Sequence, residues 1–339
     1  MRVLEQPEHE RIVKLDAKDK KILALLAKNA RTPDTVIAKN VGLSRDGVSY
    51  RIKNFVKNKV IQGYRTIINA EKLGYEAYHL FIQLNPPSKE AEKELLDKFK
   101  SYNFTRAVLR FSGRYDYEFA IIARNIREFD NILGIILEDC KEYLQDYEIL
   151  IITDSYVENY FPKSFLSLQE KESAREKKEN EEIKLDKKDM DILRIIADNA
   201  SLPLYAVANK TNISADAVNY RLKKMIASGV IKKFIPVINY SALGYGTYAL
   251  MLNIRGLSGK KEAKLKQVLQ TDNNMLWAVK TVGKYNVLMY AYVAHVDELH
   301  KTLMNLRSNF PGDLNNYETL IAYEEYKFTY LPECIEQKT

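Results

Sequence analysis

Little in this chain suits it to form disulfides, hold a metal or cross a membrane. Its 339 residues include two cysteines, Cys140 and Cys334, too few for a disulfide framework and lacking the spacing of a thiolate metal site. Histidine is scarce as well: His9, His79, His295 and His300 contain no pair at the i, i+4 spacing of helical metal ligands. No apolar run approaches the roughly 18 to 20 residues that span a bilayer. The opening stretch, Met1 to Lys14, is polar and charged, without a signal-peptide core. A globular protein of a reducing cytoplasm is expected. Glutamate is missing from residues 14–70 and again from 184–240.

That second absence marks a repeat. Lys14-Leu15-Asp16, Asp19, Ile22-Leu23, Asn29-Ala30 and Pro33 return 170 residues later as Lys184-Leu185-Asp186, Asp189, Ile192-Leu193, Asn199-Ala200 and Pro203. The register holds through Tyr50-Arg51 and Tyr220-Arg221, Leu73-Gly74-Tyr75 and Leu243-Gly244-Tyr245, Gly113 and Gly283, and Tyr147-Glu148 and Tyr317-Glu318. Two gap-free copies of one unit thus account for nearly the whole chain, and residues kept in both report what the unit needs. Neither cysteine and no histidine has a counterpart in the other copy. The expected division is a tail (1–13), a winged helix-turn-helix domain (14–70), a ferredoxin-like domain (71–165), a charged linker (166–183), and a second pair of domains (184–240 and 241–335).

Net charge is +7, yet residues 14–70 carry +9 and residues 184–240 carry +5, which leaves −7 for the remainder. Basic charge confined to the first third of each copy is the footprint of a module facing a polyanion, although a solvated lysine-rich surface would also produce it.

Asp16 and Asp19 ahead of Ile22, Leu23, Leu25 and Leu26 read as an acidic N-cap and an apolar helix face. Thr32-Pro33 should open a second helix, with Thr as cap and Pro in the first turn. At the following turn Gly42 in one copy matches Asn212 in the other, the two residue types that best tolerate positive φ. Ser44 and Ser214 should cap a third helix. Its inner face would be Val48, Ile52 and Phe55, and its outer face Asp46, Tyr50, Lys53, Asn54 and Lys57, with Ser49 at the edge. The second copy offers Val218, Leu222 and Met225 inside, and Asp216, Tyr220, Lys223, Lys224 and Asn219 outside.

This is the helix-turn-helix pattern, whose last helix enters the major groove; an ordinary three-helix domain with a solvated face would share the periodicity. The candidate DNA contacts are Ser44, Arg45, Asp46, Ser49, Tyr50, Arg51, Lys53 and Asn54, then Ser214, Asp216, Asn219, Tyr220, Arg221, Lys223 and Lys224. Arg65, Lys232 and Lys233, on a following strand or wing, would touch phosphate.

Beyond Tyr75 the order strand, helix, strand, strand, helix, strand describes a ferredoxin-like α+β sandwich. Consecutive apolar residues such as Ile121-Ile122 and Ile149 to Ile152 ask for burial on both sheet faces. Pairing of two sheets would supply it, and a duplicated chain could pair internally as a pseudo-dimer.

Leu-Asp-x-x-Asp opening the first helix, the helix-turn-helix, Val-Ile before the wing, Leu-Gly at the junction and Gly-x-x-Asp in the second domain together resemble the Lrp/AsnC family of transcription regulators. The resemblance covers both units. It implies double-stranded DNA as partner, self-association through the ferredoxin-like sheets, no catalytic residues, no metal and no resident cofactor. It also implies a small effector such as an amino acid, held at Gly113, Tyr115 and Asp116 and at Gly283, Tyr285 and Asn286. Here the second copy has exchanged carboxylate for amide, so an effector's ammonium group would meet an ion pair at Asp116 and a neutral hydrogen bond at Asn286. The two glycines could equally serve only as turns between strands.

Two other functions fit the same architecture. Siroheme decarboxylases are similar in domain order, and Arg106, Arg110 and Arg114 would offer charge to a polycarboxylate tetrapyrrole. A DNA-compacting protein would use the same basic faces with little sequence preference.

Overall fold

The computed structural model describes residues 12–159, 161–166 and 184–336. The charged linker and nearly all of the N-terminal tail lie outside these residues. The first unit runs α1 (Ala17–Lys28), α2 (Asp34–Val41), α3 (Arg45–Lys57), β1 (Ile61–Ile68), β2 (Glu76–Leu84), α4 (Lys89–Ser101), β3 (Thr105–Ser112), β4 (Tyr117–Ala123), α5 (Ile126–Cys140), β5 (Leu144–Glu158) and a short α6 (Lys163–Leu166). The second repeats the order as α7 (Lys187–Ala197), α8 (Leu204–Thr211), α9 (Ala215–Ala227), β6 (Ile231–Ile238), β7 (Gly246–Ile254), α10 (Gly259–Thr271), β8 (Met275–Val282), β9 (Val287–Val293), α11 (Val296–Asn309) and β10 (Leu314–Phe328). Both units are therefore α+β, with a helix-turn-helix preceding a ferredoxin-like βαββαβ domain.

The two units are joined twice. Strand β1 pairs antiparallel with β6 of the other unit, Tyr64 opposite Pro236 and Thr66 opposite Phe234. The hydrogen bonds around this ribbon obey the 170-residue offset. Ala30 N donates to Phe234 O and Ala200 N to Tyr64 O, while Asn69 N donates to Val230 O and Asn239 N to Val60 O. Each helix-turn-helix is thus stitched to the strand of the other, and the segment read as a strand or wing is the seam between the two units.

The second junction is a closed sheet in the order β10-β3-β4-β2-β5-β8-β9-β7. Strand β5 pairs with its own β2 from Leu144 to Ile151, then crosses to pair with β8 from Ile151 to Glu158. Strand β10 pairs with β7 up to Ala322 and with β3 from Ile321 onward. The C-terminal half of β5 is held by β8 of the other unit, a partner that local sequence does not reveal. The internal pseudo-dimer satisfies the double-sided burial. Ile121 packs in the core between its own sheet and helices, whereas its neighbour Ile122 packs in the core of the second helix-turn-helix.

A DNA-facing surface and two crossed glycine loops

The helix-turn-helix geometry follows from caps. Asp16 accepts from Asp19 N at 2.7 Å and Asp19 accepts from Asp16 N at 3.0 Å, a reciprocal capping box that Asp186 and Asp189 repeat. The α2 entry differs from expectation. Pro33 itself is the N-cap, α2 has no side-chain cap hydrogen bond, and the Thr32 hydroxyl donates back to Asn29 O at 2.7 Å. The turn before the third helix requires left-handed backbone, and Gly42 (φ 65°) and Asn212 (φ 52°) supply it. Ser44 Oγ then accepts from Gly47 N at 3.0 Å and Ser214 Oγ from Ala217 N at 3.1 Å, fixing the start of α3 and α9.

Val48 and Phe55 are buried on the inner face of α3, and Val218, Leu222 and Met225 on that of α9. The outward faces stay open. Tyr50 is 67% exposed and Tyr220 71%. Ser44, Arg45, Asp46 and Lys53 are exposed in the first unit, as are Ser214, Asp216, Lys223 and Lys224 in the second, while Ser49, Asn54 and Asn219 are half-buried at the edges. A large exposed aromatic stands at the same position in both copies, next to Lys53 in one and Lys223 and Lys224 in the other, and is left uncovered by the described residues.

Four of the candidate contacts have other work. Arg51 Nη1 lies 2.7 Å from Asp16 and 2.6 Å from Asp19, and Arg221 repeats this at 2.6 and 2.7 Å with Asp186 and Asp189. These arginines clamp the third helix to the N-terminus of the first and are not directed at DNA. The backbone amide of Asp19, with Arg51, holds the Asp16 carboxyl below its usual range. Arg65, only 11% exposed, is turned inward: its guanidinium stacks on Phe328 at 4.8 Å and faces Asp198 at 3.6 Å and Glu325 at 3.8 Å. Lys232 pairs with Glu158 at 3.3 Å. Both follow from the ribbon, which directs these side chains toward the other unit instead of along a groove.

The glycine loops cross the boundary between units. At Gly113 (φ 143°) a Cβ would stand 2.7 Å from Leu320 Cδ2, and at Gly283 (φ 152°) 2.5 Å from Ile149 O, so each loop presses on the final strand of the other unit. Glu148 and Glu318, equivalent residues on those strands, meet the opposite loops. Glu148 accepts from Lys284 N at 3.2 Å, and Arg114 lies 3.5 Å from Glu318 and 3.2 Å from Asp146. Partial burial raises the Glu148 carboxyl above its ordinary value. Tyr115 and Tyr285 are fully buried; the Tyr115 hydroxyl has no hydrogen-bond partner among the described residues, and the Tyr285 hydroxyl faces Glu318. Burial pushes the Tyr285 phenol up to about 12.

Asp116 and Asn286 do not point into these loops. Asp116 accepts from Leu84 N at 2.7 Å, and Asn286 both accepts from Ile254 N at 3.0 Å and donates to Ile254 O at 2.8 Å. They brace the ends of β2 and β7, an edge-fastening role that amide and carboxylate share. The Leu84 hydrogen bond engages one carboxylate oxygen of Asp116, Oδ2. Glu148 and Glu318 are not among the sequence candidates, although their retention in both copies marks them as residues the unit needs.

Known proteins align with these features. Residues 15–55 match the profile of the AsnC-type helix-turn-helix domain, and residues 185–232 that of a winged helix-turn-helix DNA-binding domain. The HTH-type transcriptional regulator LrpA of Pyrococcus horikoshii is 35% identical over 122 residues, 35% of this chain and 84% of that protein. The regulatory protein AsnC of Haemophilus influenzae is 29% identical over 137 residues, covering 40% and 90%. Among solved structures the siroheme decarboxylase NirDL superposes with a TM-score of 0.61 at 14% identity, over 94% of this chain and 97% of that one, a likeness of fold. The chain therefore belongs to the Lrp/AsnC family of helix-turn-helix transcription regulators, with two units of the family in one polypeptide.

Proposed function

We propose that one chain reads one operator as a built-in dimer, laying α3 and α9 in major grooves of two half-sites, and answers a small effector held at the glycine loops. The observation that carries this reading is the pair of exposed, lysine-flanked tyrosines, Tyr50 and Tyr220, on third helices whose units are related by the hydrogen-bonded ribbon. Half-sites about 34 Å apart, or a multiple of it, suit two such helices. The half-sites should differ in sequence, because Ser49 of the first copy is Asn219 in the second and Asn54 is Lys224. The buried Tyr115 hydroxyl, without a hydrogen-bond partner among the described residues, supports a hydrogen-bonding effector such as an amino acid. The compartment for such a regulator is the cytoplasm.

Fold likeness to NirDL keeps tetrapyrrole decarboxylation as the second reading. Its three candidate arginines are dispersed: Arg110 pairs with Glu92 at 2.8 Å, Arg114 with Asp146, and Arg106 stacks on Tyr330 at 5.1 Å. Binding of the purified protein to fragments of its own genome, across a salt series with competitor DNA, separates the readings. Selective binding that weakens steeply with salt supports the regulator. Unselective binding supports DNA compaction, and none at low salt supports the enzyme.

A further inference from the structure

The faces that the two sheets turn toward each other are not equivalent. The second unit carries Trp277 and Tyr290, opposite each other on β8 and β9, where the first carries Ala107 and Ala120, opposite each other on β3 and β4. The first unit in turn carries His79 and Glu118 where the second has Ala249 and Leu288. These differences meet in space. Trp277 stacks on His79 with ring centroids 5.5 Å apart. The Tyr290 hydroxyl donates to one oxygen of Glu118, and His79 Nδ1 donates to the other. Glu118 is 1% exposed, so its two partners, one from each unit, are its whole hydrogen-bonding environment among the described residues.

We infer that these four positions form a pairing code by which a first-unit face accepts a second-unit face and rejects its own kind. Two first-unit faces together would place alanines where Trp277 and Tyr290 now stand, opening a void and leaving two buried carboxylates without a phenol donor. Two second-unit faces would set Trp277 against a second Ala249 and Tyr290 against a second Leu288, so that the tryptophan loses its imidazole stack and the buried Tyr290 hydroxyl its acceptor. An interface becomes specific when the intended match is good and the alternatives are penalised, and both elements are present here. The duplicated chain consequently closes on itself, and any larger assembly must use other surfaces.

Exchanging the four residues in the full-length chain tests the code. One variant carries His79→Ala, Ala107→Trp, Glu118→Leu and Ala120→Tyr; a second carries Ala249→His, Trp277→Ala, Leu288→Glu and Tyr290→Ala; a third carries all eight. Each single exchange should lower the unfolding midpoint by about 10 °C or more. The eightfold variant restores complementarity with the roles reversed and should melt above both. An eightfold variant no more stable than the better single exchange would overturn the inference, because residues that serve only their own sheet would accumulate damage.

Discussion

Gly113 of the first unit lies so close to Leu320 of the second that a Cβ on the glycine would stand 2.7 Å from Leu320 Cδ2. Its counterpart Gly283 meets a harder obstacle, the backbone carbonyl oxygen of Ile149 at 2.5 Å. A leucine side chain can rotate away, but a carbonyl within a sheet cannot. Gly283→Ala should therefore cost about 3 kcal/mol and Gly113→Ala about half of that, measured by urea unfolding of the intact chain. Equal and small losses would mean that the loops do not press on the opposite strands.

Glu325 gives the stability a particular pH dependence. It is 6% exposed, one oxygen lacks a hydrogen-bond partner, and burial raises its carboxyl to about 7 against the opposing pull of Arg65. The folded state then holds a proton that the unfolded chain releases near 4.5. Stability from this group is full below the unfolded value and declines as pH rises through 7. Between pH 5 and pH 8 the wild type should lose about 2 kcal/mol more than Glu325→Gln. Parallel profiles for the two proteins would contradict this.

The repeat made much of the fold legible. Gly42 and Asn212 share no chemistry beyond tolerance of positive φ, and their equivalence located the turn before the third helix. The capping aspartates were equally plain. What stayed hidden depends on pairing between units: Arg65 looks like a phosphate contact until β1 is seen to pair with β6, and β5 looks half its length until β8 is seen to extend it. The hydrogen bond from Leu84 N to Asp116 is likewise not written in local sequence. His79 has no histidine counterpart in the second copy. Its partner is a residue of a different type, Trp277, on the other copy.

Arg51 and Arg221 should behave as clamps. Arg51→Met is expected to destabilise the chain by about 1 kcal/mol at neutral pH, since the clamp is near the surface and screened. The Asp16 carboxyl is held low by the Asp19 amide and by Arg51, so the stabilisation is present above its unfolded value of 3.8 and is lost as pH falls through the lower folded value. The gap between wild type and Arg51→Met, followed by denaturant unfolding, should accordingly close below about pH 4. A gap that persists in acid would assign the loss to packing.

Lys53 and Lys223 lie on the outward faces of α3 and α9. Replacing both with alanine should weaken DNA binding and reduce the slope of log affinity against log salt by about 2, one phosphate contact each. The unfolding midpoint should not move. Unchanged affinity would show that another face meets DNA.

The central claim is that a single chain does the work of a dimer on DNA. Titration of a selected operator with the protein, combined with hydroxyl-radical footprinting at saturation, tests it most directly. The account predicts one chain for each pair of protected half-sites, about 34 Å or a multiple of it apart, with unlike sequences in the two halves. Two chains per pair of half-sites, or a perfectly palindromic operator, would contradict it.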